Sequence, residues 1–188
     1  MNLNELSGYY DSYERDLVKE FYIPMFKSAM LVDRVSCYFS SKALALYASG
    51  LEEFANRPGC KYRLIVSEDI DKEDFDAIRE GEKRLEDYDS LFTARLHEEL
   101  SSRQKSSLEM LVDLIGSGVV EIKIALVDRG LFHYKWAYVE GLEGERMLML
   151  GSNNETFAAI EMNYEGFDFR PYNERDRFKD NFEAMWHD

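Results

Sequence analysis

Cysteine, proline and basic charge are all scarce in this sequence. Its two cysteines, Cys37 and Cys60, stand alone, with no C-x-x-C pair and no Cys/His cluster. That excludes a zinc ribbon or a disulfide framework, and both read as reduced cytosolic thiols. With 3 prolines and no Pro/Gly/Ser-rich tract, nothing serves as a linker. Lys and Arg number 23 against 37 Asp and Glu, a net charge of −14. Such a surface repels phosphate at long range, so any phosphate chemistry has to come from a local site. No apolar run approaches the ~18 residues of a membrane span, and the start, Met1-Asn2-Leu3-Asn4-Glu5, lacks the basic-then-apolar order of a signal peptide. We therefore expect a cytoplasmic protein with no membrane partner. A G-x-x-x-x-G-K-[ST] loop is also missing, so the chain carries no ATP motor of its own.

What is present suits one globular domain over residues 1–188. The composition is 45% hydrophobic and 14% aromatic, and a chain of this length buries roughly 70% of its unfolded surface. Asp11-Ser12 predicts a capped short helix through Leu17, Val18 and Phe21, ended by Pro24. Val32 to Phe39 alternates as a strand, Ser41 caps a helix through Leu44, Tyr47, Leu51 and Phe54, and Tyr62 to Val66 is a buried strand. From Lys72 to Gly116 the chain is charged and helical in period. Its apolar seam runs through Leu91, Leu96, Leu100, Leu108 and Leu111, with a break near Ser101-Ser102, giving a helical insertion over about 80–117. Strands follow at Val119 to Val127, Leu131 to Glu140 and Met147 to Leu150, and Asn173 caps a last helix through Phe178, Phe182 and Trp186. The class is mixed α/β.

Of the histidines, His97 falls in the charged helical stretch and His187 is next to the last residue. His133 is the one within a predicted strand. Lys135 lies two residues on and so shares its face, together with Leu131, Ala137 and Val139. An edge strand whose lysine snorkels into water would explain the pair without any chemistry. The following strand runs into Gly151-Ser152-Asn153-Asn154-Glu155-Thr156, a small polar loop whose side chains can donate to phosphate oxygens and whose glycine admits close approach. It is equally a plain turn built of turn residues. Beyond it, Asn163-Tyr164-Glu165 supplies a carboxylate that can return to the histidine.

In this order, H-x-K, G-S-x-N and N-x-E resemble the signature of the phospholipase D-like superfamily: His133-Tyr134-Lys135, Gly151-Ser152-Asn153-Asn154 and Asn163-Tyr164-Glu165. The motif's aspartate, five residues after the lysine, is Glu140 here, one methylene longer and on the opposite face from His133 and Lys135. The segments F-Y-I-P, Y-F-S-S-K-A-L-A-L-Y-A-S-G-L and R-L-I-V-S further resemble the phospholipase D-like domain at the N-terminus of some bacterial DEAD/DEAH-type helicases. The resemblance implies an α-β-α sandwich around a mixed sheet. It also implies a phosphodiesterase or nuclease, with DNA ahead of RNA as substrate, and a helicase motor downstream or in trans.

The chemistry follows from the residue types. Lys135, Ser152 and Asn154 are suited to hold the phosphate oxygens, with Gly151 and Asn163 in support, and the resemblance makes Glu140 a further supporting residue. A neutral His133 is a competent nucleophile near pH 7, and Glu165 accepting its other N–H would fix the tautomer. The resemblance assigns protonation of the leaving group to a second histidine from a second motif. This chain has one motif, so two copies would meet about a two-fold axis at the active-site face. No metal or other cofactor is needed.

Two other readings stand beside this one. Glu121-Ile122-Lys123 is an E-x-K, and with Asp113 it could form a metal-dependent nuclease centre. Alternatively the domain is a non-catalytic phosphate-binding or dimerisation module, which the net charge and Glu140 favour. The aromatic stripe Phe132, Tyr134, Trp136 and Tyr138 reads as the core side of its strand, leaving His133 and Lys135 on the site side. Arg95, Arg103 and Lys105 are candidates to guide a nucleic-acid strand.

Overall fold

The computed structural model describes residues 1–86 and 106–188. His97, the seam residues Leu91, Leu96 and Leu100, the break at Ser101-Ser102, and Arg95, Arg103 and Lys105 lie outside the described residues. Seven strands form one mixed sheet: β1 (Gly8–Asp11), β2 (Ala29–Ser36), β3 (Lys61–Ser67), β4 (Val120–Ala125), β5 (Lys135–Gly141), β6 (Arg146–Gly151) and β7 (Gly166–Pro171). Their order is β1-β7-β6-β5-β2-β3-β4. Strands β2, β3 and β4 run parallel, and all other neighbours are antiparallel.

Helices cover both faces. Helices α1 (Ile23–Ser28), α2 (Ser41–Leu46), α3 (Ala48–Ala55), α4 (Lys72–Glu86), α5 (Ser107–Gly116) and α6 (Phe157–Glu161) supply one side, and α7 (Phe178–His187) supplies the other. The larger core joins Phe21, Phe26, Phe54, Tyr62, Met149 and Phe169. The smaller core sets Val35, Ile65, Trp136 and Tyr138 against Phe182 and Trp186 of α7. This is the α-β-α sandwich expected of the sequence. Helices α4 and α5 belong to the larger core through Ile78, Leu111, Leu114 and Ile115, and Gly81 packs so closely that a Cβ there would lie 2.7 Å from the Ile115 Cβ.

Three local expectations are corrected. Pro24 does not end its helix but sits in the first turn of α1. A wide π turn over Val18–Tyr22 runs straight into it, so Pro24 sits at the junction of the two helical segments. The helix expected after Ser41 is capped by Ser40, whose Oγ accepts from Lys42 N at 3.3 Å, and it breaks at Tyr47 into α2 and α3. Asn173 caps a short 3-10 turn rather than α7, which begins after Arg177 at φ 56°.

Charge, as well as apolar packing, docks α7 on the sheet. Asp33 is fully buried beneath it and takes both Nε and Nη2 of Arg63, at 2.7 and 2.8 Å, and Lys179 Nζ at 2.7 Å. Glu183 closes the network on Arg63 at 2.7 Å and Lys179 at 3.1 Å, with the Arg63 guanidinium stacked 4.9 Å from the Phe182 ring. The Arg63 hydrogen bond, then that of Lys179, outweighs burial and draws the Glu183 carboxyl down to about 2 from 4.5. Since the folded value lies below the unfolded one, this stabilisation is complete above about pH 4.5 and fades as pH falls toward 2. With the side chain 38% exposed, solvent screening reduces it to about 1 kcal/mol. Glu183→Gln should therefore lose about that much at pH 6 by urea unfolding, and the gap from the parent protein should close near pH 2.

Candidate active site

The candidate residues gather at one end of the sheet. In register, Ser36 at the end of β2 faces Lys135 at the start of β5. Leu150 faces Trp136, and Gly151 at the end of β6 faces Phe167 near the start of β7. Asp11 at the end of β1 faces Gly166. Crevices at strand ends are where sheets of this kind bind ligands.

Lys135 is the first residue of β5, and His133 precedes the strand instead of lying within it. The two still meet, with Lys135 Nζ 2.9 Å from His133 Nε2. The edge-strand explanation for Lys135 fails, because β5 is the central strand of the seven and its Ala137 and Val139 are buried in the larger core. On its other face Trp136 and Tyr138 are buried beneath α7, whereas Tyr134 of the expected stripe is 57% exposed.

The loop after β6 is built by alternation. Asn153 and Glu155 point inward and are fully buried, while Ser152 and Asn154 point toward the sheet end. Glu155 reaches Arg34, a fully buried residue of β2, at 2.9 Å from Nε, and accepts a second bond from the Tyr47 hydroxyl. Arg34 Nη2 donates to the Asn153 carbonyl at 2.6 Å, and Asn153 Nδ2 donates to the Tyr22 hydroxyl at 2.6 Å. Burial works against the Arg34 charge, and Glu155 with the phenols around it more than offsets that, so the guanidinium is held above its ordinary value. Burial, and after it the Glu155 charge, pushes the Tyr22, Tyr47 and Tyr62 phenols up. Around this ion pair the loop is strapped to the end of β2: Glu155 N donates to Ser36 Oγ at 2.8 Å, Ser40 N to Glu155 O at 2.9 Å, and Tyr38 N to Asn154 Oδ1 at 3.2 Å.

Gly151 has a steric role. A Cβ on it would lie 2.3 Å from the Gly166 carbonyl oxygen and 2.4 Å from the Phe167 Cβ, so only glycine lets β6 and β7 approach this closely. Across that contact Ser152 Oγ donates to Glu165 Oε2, and Asn163 Nδ2 donates to Glu165 Oε1 at 3.3 Å. Ser12, expected to cap a helix, instead braces the carboxylate residue: its Oγ donates to Asn163 O at 2.7 Å and accepts from Glu165 N at 2.9 Å. Nothing in the local sequence marks Ser12 for this role.

Two expected contacts are not formed. Glu165 gives its oxygens to Ser152 and Asn163 rather than to His133, because Ser152 and Glu165 flank the paired ends of β6 and β7 while His133 sits ahead of β5. Glu140 lies at the far end of β5, where it accepts from the Tyr138 hydroxyl at 2.8 Å and pairs across strands with Arg146. At roughly 3.3 Å per residue it is about 17 Å along the strand from Lys135. The residues of the E-x-K reading have other partners: Glu121 binds Lys61 at 2.8 Å, Lys123 donates to the Trp186 carbonyl, and Asp113 pairs with Arg84 at 3.3 Å.

No family model and no curated protein matches this sequence. Solved structures do. Nuc from Salmonella typhimurium, a phospholipase D family member, aligns at TM-score 0.53 and 13% identity over 96% of this chain and 93% of that one. NucT from Helicobacter pylori gives 0.49 and 17%, over 96% and 97%. A mutant of yeast tyrosyl-DNA phosphodiesterase gives 0.50 and 11%, over 87% of this chain and 32% of that one. The chain has the phospholipase D-like fold.

The buried pair yields a stability prediction. Glu155→Gln leaves the Arg34 charge without a counter-ion in the core and should cost about 3 to 5 kcal/mol in urea unfolding. Changing both Arg34 and Glu155 to Met should recover much of that loss.

Proposed function

We propose that the protein is a phosphodiester hydrolase that cleaves nucleic acid, DNA in the first place, through a phosphohistidine on His133. The observation that carries this reading is the placement, at one end of three adjacent strands, of the His133–Lys135 pair beside the Ser152–Glu165–Asn163 cluster. Nε2 of His133 and Nζ of Lys135 are close enough for one phosphate to engage both, the ammonium on an equatorial oxygen and the imidazole nitrogen in line with phosphorus. Asn154 uses Oδ1 on the Tyr38 N–H, so its amide NH2 remains to donate to a second oxygen.

Phosphate binding exchanges two hydrogen bonds. Ser152 turns its hydroxyl from Glu165 to a phosphate oxygen, and the freed carboxylate accepts the Nδ1–H of His133. Attack forms the N–P bond and breaks the P–O bond to the leaving strand, whose oxygen takes a proton from a second copy of His133 across a two-fold axis. That histidine, now neutral, deprotonates the water that hydrolyses the phosphohistidine, returning both rings to their starting state. None of these steps uses a metal. The likeness of Y-F-S-S-K-A-L-A-L-Y-A-S-G-L and R-L-I-V-S to helicase-associated domains supports a motor downstream or in trans that supplies DNA affinity, which a chain of charge −14 has little of.

The test is cleavage of single- and double-stranded DNA in EDTA at low salt, with the mass in solution measured by light scattering. Cleavage by a dimer should persist in EDTA and fall by about 10³-fold or more in His133→Ala and in Lys135→Ala. Cleavage that needs Mg²⁺ and survives His133→Ala would overturn the mechanism. A folded dimer without activity would favour the binding-module reading, which the engagement of Glu165 away from His133 supports.

A further inference from the structure

The candidate site has an annex that the phosphate chemistry leaves unused. Beside Glu165 the surface opens into a groove of about 340 Å3, whose lining includes Ser12, Arg15, Asp16, Glu161, Asn163 and Tyr164. Two of these residues also hold Glu165: Asn163 donates to its carboxylate, and Ser12 accepts its backbone N–H. Groove and carboxylate therefore share a wall.

Two aromatic rings stand at this border. Tyr164 is 84% exposed and Tyr13 is 78% exposed, with ring centroids 5.9 Å apart and planes inclined by 48°. No hydrogen bond takes either hydroxyl among the described residues. Tyr164 does not hang on a loose loop. The carbonyl of Asn163 before it, and the N–H and carbonyl of Glu165 after it, are all bonded to Ser12, so its ring is presented on a fixed backbone. Inside the groove Arg15 stacks 4.8 Å from the Tyr10 ring centroid, and no carboxylate pairs with its guanidinium among the described residues.

We infer that this groove binds the unpaired bases of a single strand next to the scissile phosphodiester, with Tyr13 and Tyr164 stacking on base faces and Arg15 meeting a neighbouring phosphate. The inference rests on the phosphodiester chemistry proposed above and adds the strandedness of the substrate. Base faces are open to stacking only when the strand is unpaired, and each stacked base contributes about 1–3 kcal/mol irrespective of sequence. A duplex, by contrast, is held mainly through many phosphate contacts with Lys and Arg. A groove with one unpaired guanidinium, two lining carboxylates (Asp16, paired with Lys19, and Glu161) and two open rings at its border, on a chain of charge −14, has the means for the first mode and few for the second.

The experiment uses the full chain with His133→Ala, so that no substrate is consumed. Fluorescence anisotropy reads binding of labelled oligo(dT), of the same strand paired with oligo(dA), and of an abasic oligomer of equal length. Oligo(dT) should bind more tightly than the duplex. Adding Tyr13→Ala and Tyr164→Ala should weaken oligo(dT) about tenfold or more, leave the abasic oligomer unaffected, and keep the thermal melting curve of the parent. Tyr13→Phe with Tyr164→Phe keeps the rings and should keep the affinity. An equal loss for all three ligands, or none, would overturn the inference. So would conversion of a dimer to a monomer with unchanged oligo(dT) binding, which would assign the rings to a second copy of the chain. Cleavage by the unmodified protein reports separately on the hydrolase reading: loss of His133-dependent cleavage with base-dependent binding intact faults the chemistry alone.

Discussion

The loop that carries Ser152 and Asn154 is held by a charge pair with no access to water. Taking Arg34 and Glu155 out of solvent is costly, and a buried ion pair of this kind contributes little net stability compared with apolar side chains of similar volume. What it does contribute is uniqueness. Among the described residues Glu155 has one cation in reach, Arg34 sits on an interior strand of the sheet, and the carbonyl of Asn153 takes the next nitrogen of the same guanidinium. With residues 153 and 155 pinned inward, residues 152 and 154 have to face out. The spacing of the outward polar pair is thus set from beneath, by buried residues.

The sheet does the rest of the positioning. Strand β5 is central and buried on both faces, so Lys135 at its first residue stands on a firm base, while His133 lies two residues ahead of the hydrogen-bonded ladder. The neighbouring β6–β7 ladder delivers Ser152 against Glu165, with Gly151 removing the Cβ that would hold the strands apart. The chemically capable groups therefore come from three separated stretches of chain, and what brings them together is that β5 and β7 begin, and β6 ends, at the same edge of the sheet.

Much of this was legible in the sequence because β2 to β6 carry apolar runs or alternation bounded by turn residues, and because H-x-K, G-S-x-N and N-x-E occur in a telling order. The inner face of the G-S-x-N loop was not. Arg34 in V-D-R-V and Glu155 in N-N-E-T look like ordinary surface charges, and no periodicity links residues 121 positions apart. Strand β1 has only four residues, and β7 announces itself only by the alternation of Phe167 and Phe169 around Asp168. The pairing of Glu165 with Ser152 instead of His133 depends on how β6 and β7 align, which residue identities do not specify.

The outermost ladder joins Gly8–Asp11 to Gly166–Phe169, and Ser12 bonds Glu165 across 153 residues. Contacts this distant in sequence are among the last that a chain can make, because closing the loop has an entropic cost that only completed packing repays. While the polypeptide emerges from the ribosome, His133 and Lys135 are synthesised well before the carboxylate and its brace can be in place. The wall around Glu165 exists only once the two ends of the domain have found each other, so a chain still being made beside its own messenger RNA does not yet possess the complete pocket.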